Sequence, residues 1–207
     1  MSLVTTEDTR ARILVATVAQ IEDGGEAAVR LRDIAASVGI SEPSLYHYFR
    51  SRESLIVAAH AKRFRDNLAV TLTPFVDALS GCTSREQFLA SFVDLYRRSF
   101  PPERVPVRST RTEIIGASFH RPELRETVAT EMEAAFAPAI DLLREAQAKG
   151  WLRSDLSIEA FVYWNMANIT GLIYPELRSD PTILPDFRDL IIEALVLVIG
   201  GQPPARE

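Results

Sequence analysis

Along nearly the whole chain the apolar residues return every three to four positions, the period of a helix that buries one face. Valine and isoleucine are plentiful, but they keep this spacing and do not alternate as a half-buried strand requires. No Asn-Gly or Asp-Gly turn sits between alternating runs; the nearest candidate, Asp23-Gly24-Gly25, follows a helical segment. Neither an internal repeat nor a low-complexity tract interrupts the pattern.

The first predicted helix runs from Glu7 to Asp23, with Ile13, Leu14, Thr17, Val18 and Ile21 as its apolar stripe and Gly24-Gly25 as its stop. A short helix follows over Leu31–Val38, with Ile34, Ala35 and Val38 inward, and Gly39 breaks it. Ser41 can cap a third helix, Glu42–Phe49, in which Pro43 falls in the first turn, where a missing N–H costs nothing. Ser51 can cap a fourth, from Arg52 to about Pro74, with Ile56, Ala59 and Phe64 apolar along it.

Further helices are expected over Ser84–Phe100, Arg104–Phe119, Pro122–Lys149, Ser157–Tyr174 and Pro185–Gly200. Pro101-Pro102, Arg121-Pro122, Gly150 and Pro181–Pro185 punctuate them. The expected fold is all-α: an amino-terminal three-helix bundle over residues 1–52, a connecting helix over 52–74, and a larger helical body over 75–207.

Chemistry concentrates in Leu31–Leu55, LRDIAASVGISEPSLYHYFRSRESL. Two short helices separated by Val38-Gly39-Ile40-Ser41 have the length and glycine placement of a helix-turn-helix. At 100° per residue, Leu45 and Phe49 face inward, Pro43, Ser44 and His47 face outward, and Tyr46 and Tyr48 flank the seam. Small, aromatic and hydrogen-bonding side chains on one outward face suit a major groove, which offers donors, acceptors and thymine methyl groups. Arg50 and Arg52, around Ser51 at a helix start, form a candidate phosphate clamp. Glu42 can either accept from a cytosine amine or favour the helix dipole. The candidate DNA-contacting set is therefore Ser41, Glu42, Pro43, Ser44, Tyr46, His47, Tyr48, Arg50 and Arg52. The plainer alternative is a helix pair with rim tyrosines and solvated arginines, which many helical proteins possess.

Gly24–Leu55 resembles the DNA-binding domain of the TetR family of transcriptional regulators. The resemblance rests on Ile34-Ala35, Gly39-Ile40-Ser41, Leu45-Tyr46, Phe49 and Ser51-Arg52-Glu53-Ser54-Leu55. It implies a homodimeric, all-α repressor whose variable carboxy-terminal domain binds a small molecule and thereby loosens its grip on a palindromic operator. On this resemblance Ser44 and His47 fall where family members often contact bases, and Tyr46 and Arg52 where they contact phosphates. Two positions depart from the pattern. Arg30 stands where a capping Ser or Thr is usual, and Arg52 where Lys is usual, which keeps the charge.

In the larger body, Phe88, Phe92, Tyr96 and Phe100 recur every four residues and make one aromatic helix edge. Core packing explains such an edge; a pocket would also draw on it, with Met132, Phe136 and Ile140 on the long helix. Asparagines on an apolar helix need partners, so Asn165 is assigned to a subunit interface, and Asn168, beside Trp164, to the pocket. The candidate effector site is Phe88, Phe92, Tyr96, Met132, Phe136, Trp164 and Asn168, for an apolar or aromatic small molecule. The last helix is apolar over too broad a face to meet water alone. By the resemblance, the two carboxy-terminal helices pair with their mates through Phe161, Asn165, Leu172, Phe187, Ile191, Leu195 and Val198.

Composition narrows the classes further. With 207 residues, 47% hydrophobic and 25% charged, the chain reads as an ordinary globular protein. The single cysteine, Cys82, cannot make an internal disulfide. His60 and His120 have no metal-ligand spacing, and Glu131 and Glu133 point to different helix faces, so neither a metal nor another cofactor is expected. The opening MSLVTTEDTR lacks a basic segment followed by an apolar core, and no apolar run reaches the roughly 20 residues of a membrane span. A cytoplasmic protein without a membrane partner is the expectation. Net charge is −5, but residues 1–65 carry nine Lys and Arg against eight Asp and Glu, so the amino-terminal third alone tolerates a polyanion. No hydrolase elbow, P-loop, dinucleotide fingerprint or zincin motif is present, which argues against an enzyme. The competing reading is a helical ligand carrier or adaptor whose helix-turn-helix no longer binds DNA.

Overall fold

The computed structural model describes residues 6–200 and, among them, ten α-helices and three short 3-10 turns. Residues 1–5 and Gly201, on which the readings of the amino-terminal segment and of the final apolar run partly rest, lie outside the described residues. The helices are α1 (Thr6–Gly24), α2 (Leu31–Val38), α3 (Glu42–Tyr48), α4 (Arg52–Ser80), α5 (Arg85–Arg97), α6 (Val105–Ser118), α7 (Pro122–Ala148), α8 (Ile158–Gly171), α9 (Ile173–Glu176) and α10 (Leu184–Val198). Two compact units result. One holds the chain through Asp66 together with Ile114–Glu131; the other holds Asn67–Glu113 and the chain from Met132 onward. The boundary thus cuts α4 fourteen residues after Arg52, later than the expected division, and assigns the turn between α6 and α7 to the amino-terminal unit.

In the first unit Ile13, Leu14 and Ile21 of α1 pack with Ile34, Ala35 and Val38 of α2, Leu45 of α3, and Leu55, Ile56 and Ala59 of α4. Each fully buried side chain of this size adds roughly 1.5–3 kcal/mol to folding. The turn between α2 and α3 depends on Gly39, whose φ of 76° lies in the left-handed region. There its N–H reaches Ala36 O and the Ile40 N–H reaches Ala35 O, closing α2 in a Schellman-like end. α3 opens as expected: the Ser44 N–H donates to Ser41 Oγ at 3.2 Å. α4 opens on a reciprocal pair, with the Ser54 N–H on Ser51 Oγ and the Ser51 N–H on Ser54 Oγ, both 3.0 Å.

A partly buried polar hub ties these helices together. Glu26, in the turn after α1, accepts from His60 Nε2 at 2.7 Å and from Arg121 Nη1 at 2.5 Å. Arg121 also reaches Glu53, and Arg63 Nη1 lies 3.3 Å from His60 Nδ1, which assigns the imidazole proton to Nε2. Partial burial opposes ionisation of Glu26, but the hydrogen bonds from His60 and Arg121 outweigh it and hold the carboxyl below its usual range.

In the second unit three helices end differently from the periodicity. α4 continues through Pro74 to Ser80 because Leu72 and Leu79 are buried and the Phe75 ring packs edge-on against Phe92 at 5.1 Å. That burial outweighs the one backbone hydrogen bond proline removes. α5 stops at Arg97, leaving Phe100 outside the helix. The expected Ser157–Tyr174 helix is interrupted at Leu172, three residues before Pro175, which has no N–H to give a carbonyl one turn back.

Two outcomes are expected. Gly39→Ala meets no atom within 4 Å of the new Cβ but forces a side chain into the left-handed region, and should cost about 1 kcal/mol in chemical denaturation. Because the folded-state value of Glu26 is depressed, its contribution is complete above its unfolded value of 4.5 and is lost as the pH falls below it. Glu26→Gln should therefore flatten the acid limb of the stability curve measured between pH 5 and about 3.

Candidate nucleic-acid interface

α3 has seven residues, too few to hold a conformation by propensity, and tertiary burial fixes its rotation. Leu45 is fully buried and Phe49, just past the helix end, is 4% exposed. With that seam inward, Ser41, Glu42, Pro43, Tyr46, His47 and Arg50 are exposed, and Ser44 and Tyr48 are half-buried. Tyr46 leaves 47% of its surface in solvent, a high value for a tyrosine within this bundle. Pro43 and His47 are outward as the 100° spacing predicts, whereas Ser44, expected outward, is half-buried and Tyr46, expected at the seam, is exposed. The hydroxyls of Ser41 and Ser44 are 2.7 Å apart, so the cap also orients Ser44.

Arg50 and Arg52 separate in role. Arg50 is exposed, just before α4. Arg52 is turned back on the protein: Nη2 donates to Glu26 O at 2.5 Å and Nε to Val29 O at 3.3 Å. Of the two guanidiniums expected in the clamp, Arg52 thus spends two of its N–H groups on the carbonyls of the turn before α2, while it stays exposed. Arg30 makes no side-chain cap for α2, as its departure from the family pattern implied; its own N–H is taken by Gln20 Oε1 at 2.8 Å.

Two cations that the sequence did not single out stand beside the helix pair. Arg12 Nη2 donates to Val38 O at 2.9 Å, at the carboxy-terminal end of α2, and Arg10 lies over the Phe49 ring at 4.9 Å from its centre. Both belong to α1, and a contact 26 residues away leaves no trace in local spacing. His60 is buried in the Glu26 hub, and His120 is exposed in the turn after α6. Among the described residues no group of His, Cys, Asp and Glu is arranged to hold a metal.

In the second unit Phe88, Phe92 and Tyr96 are buried, and each touches the next: ring centres are 5.8 Å apart in the first pair and 6.4 Å in the second. Tyr96 Oη donates to Asn165 Oδ1, and burial holds its hydroxyl protonated. Phe136 packs edge-on against Tyr163, Met132 is half-buried, and Asn168 donates to Trp164 O at 2.8 Å. Of the residues expected at a subunit interface, Phe161, Leu172, Ile191 and Leu195 are buried within the protomer, while Asn165, Phe187 and Val198 are half-buried. The large apolar side chains left exposed from α8 onward include Tyr163, Tyr174, Leu177, Leu190 and Leu197.

Residues 13–59 match the family model of bacterial regulatory proteins of the tetR family. A 58-residue stretch is 40% identical to the HTH-type transcriptional repressor KstR of Rhodococcus jostii (strain RHA1), taking in 28% of this chain and 27% of that one. The chain thus matches about a quarter of the length of this curated relative. Likeness of fold extends much further. A crystal structure described as a TetR-family transcriptional regulator from Rhodococcus sp. is 22% identical, with 94% of this chain and 100% of that one covered at a TM-score of 0.65. A transcriptional regulator from Saccharomonospora viridis in complex with choline is 20% identical, with 90% and 94% covered at a TM-score of 0.57. The matched stretch begins in α1, takes in the whole helix-turn-helix and ends in α4. Over residues 13–59 this chain is similar to the bacterial regulatory proteins of the tetR family.

Proposed function

We propose that the protein is a DNA-binding transcriptional repressor that acts as a homodimer and is released from a palindromic operator by a small molecule held in its second unit. The observation that supports this reading is the outer side of α3, where Pro43, Tyr46 and His47 are exposed, with Ser44 half-buried beside them, on a helix whose opposite side is buried. In the major groove, Ser44 and His47 read base edges and Glu42 stabilises the start of α3. Arg50, the Tyr46 hydroxyl and the amino-terminal N–H groups of α4 meet phosphates and set the register. Tyr48 borders that contact, and Arg52 supports it by holding the turn at Glu26–Val29.

One seven-residue helix reads only a few base pairs, so a second copy about 34 Å away, one helical turn of DNA, supplies the other half-site. Leu190 and Leu197 are two turns apart on α10, both more than half exposed, and with Tyr163, Tyr174 and Leu177 they offer apolar area to a mate. Residues buried behind them, such as Leu195 and Ile191, support that face without touching the partner. A cytoplasmic location follows from the DNA target, and no helix among the described residues is long and apolar enough to cross a membrane.

The near balance of charge in residues 1–65 favours the other reading, a helical ligand-binding or adaptor protein that no longer engages DNA. Salt dependence separates the two. A dimer making several phosphate contacts loses affinity steeply, with a slope of about −0.9 per phosphate in log K against log salt.

Fluorescence anisotropy on operator-sized duplexes should show Arg50→Ala and Tyr46→Ala weakening all sequences alike, with the Arg50 variant shallower in salt by about one unit per half-site. His47→Ala and Ser44→Ala should instead change base preference, by roughly 1–3 kcal/mol at the affected position. Sedimentation should give a dimer, and Leu190→Glu with Leu197→Glu a folded monomer with DNA affinity reduced at least tenfold. A salt-independent affinity, or a monomeric wild type that still binds DNA at full strength, would overturn the reading.

A further inference from the structure

Two arginines are buried where a hydrophobic core would be expected. Arg108 and Arg111, one turn apart on α6, are each 1% exposed. Arg108 is fully compensated: Nε and Nη2 grip the Glu176 carboxylate and Nη1 donates to Ser99 O. The contacts of Arg111 are different in kind. Nε goes to Asn67 Oδ1 at 3.1 Å, Nη2 to Thr71 Oγ1 at 3.0 Å, and Nη1 to Met166 Sδ at 2.9 Å. All are neutral, and a thioether is the weakest acceptor a protein offers. Two guanidiniums thus share one carboxylate, and the site retains one positive charge with no counter-ion among the described residues.

An uncompensated buried cation is costly, and burial together with the neighbouring Arg108 charge lowers the Arg111 value to about 10, which leaves it charged at neutral pH. Both arginines border a cavity of about 140 Å³ whose other walls include Val70, Pro74, Leu95 and Ile169. Arg98, ion-paired with Asp94 at 2.5 Å, and Arg104 border it too, so its rim is basic. A smaller void of about 20 Å³ adjoins through Thr71 and Ile169 and is bordered by Phe75, Val162 and Met166. Arg111 therefore stands at the partition, its Nη1 on a residue of the second void and its Nη2 on one that borders both.

The geometry points to a small monocarboxylate with an apolar body as the ligand of this cavity, its carboxylate on Arg111 and its ring or chain against Val70, Pro74, Leu95 and Ile169. This rests on the reading that the second unit holds the effector. A single negative charge balances the buried Arg111, whereas a cation is repelled by the guanidiniums around it. The volume admits roughly one aromatic ring or a short alkyl chain, by comparison with apolar cavities of about 150 Å³ that accept benzene. The carboxylate exchanges the thioether contact of Nη1 for a charge-assisted one. The aromatic edge of Phe88, Phe92 and Tyr96 does not line the cavity and serves as core behind it.

The test uses the full chain and calorimetry without DNA, with benzoate and the straight-chain acids from butanoate to decanoate as probes and the matching primary amides as neutral controls. At least one acid should bind roughly tenfold to a hundredfold more tightly than its amide, and raise Tm by roughly 5–10 °C at a hundredfold excess over Kd. Arg111→Gln should abolish that preference yet fold with an unchanged or higher Tm, since it removes an unbalanced buried charge; Arg98→Gln, at the surface, should leave most of the preference. Acids binding no better than amides, no acid binding at millimolar concentration, or a preference surviving Arg111→Gln would overturn the assignment. A separate anisotropy measurement keeps the two readings apart. Acid binding without any DNA binding supports the cavity and overturns the regulator, and DNA binding with no acid binding does the reverse.

Discussion

Leu45 and Phe49 leave solvent together, one turn apart, and their burial against Ile34, Val38 and α1 decides which side of α3 meets the outside. Every functional statement about the amino-terminal domain follows from that rotation. A helix of seven residues gains little from its own hydrogen bonds, so an apolar seam of two side chains and a serine cap hold it in place. Gly39 matters for the same reason: its positive φ lets α2 stop and α3 begin within three residues, at the angle the seam requires.

The polar groups around this seam brace the scaffold more than they decorate it. Arg52 closes the carbonyls of the turn at Glu26–Val29, and Glu26 gathers His60 and Arg121. Arg121 lies after α6, 95 residues from Glu26, yet in the same compact unit. The amino-terminal domain is therefore completed by a distant part of the chain, and the chain runs between the two units along α4, α6 and α7.

In the second unit the aromatic edge and the cavity divide the work. The rings of Phe88, Phe92 and Tyr96 satisfy one another and build the core, while the polar outlier, Arg111, faces the empty space. The unbalanced charge lies at the cavity, apart from the largest group of aromatic side chains.

By itself the sequence determined the helical class, the position of the helix-turn-helix, the caps at Ser41 and Ser51, and the buried seam of Leu45 and Phe49. These are local properties, set by a 3.6-residue period, by glycine and by side chains that reach their own backbone. Only the tertiary structure decided the fate of the charged and long-range groups. Arg52 found carbonyls 23 and 26 residues away, and Arg121 found Glu26 across 95. α4 outlasted its proline because Phe75 met Phe92, and Phe161, Leu172, Ile191 and Leu195 are buried within the protomer. An arginine in a sequence reads as solvated surface; whether it is buried, and what balances its charge, depends on neighbours that only the folded chain brings within 4 Å.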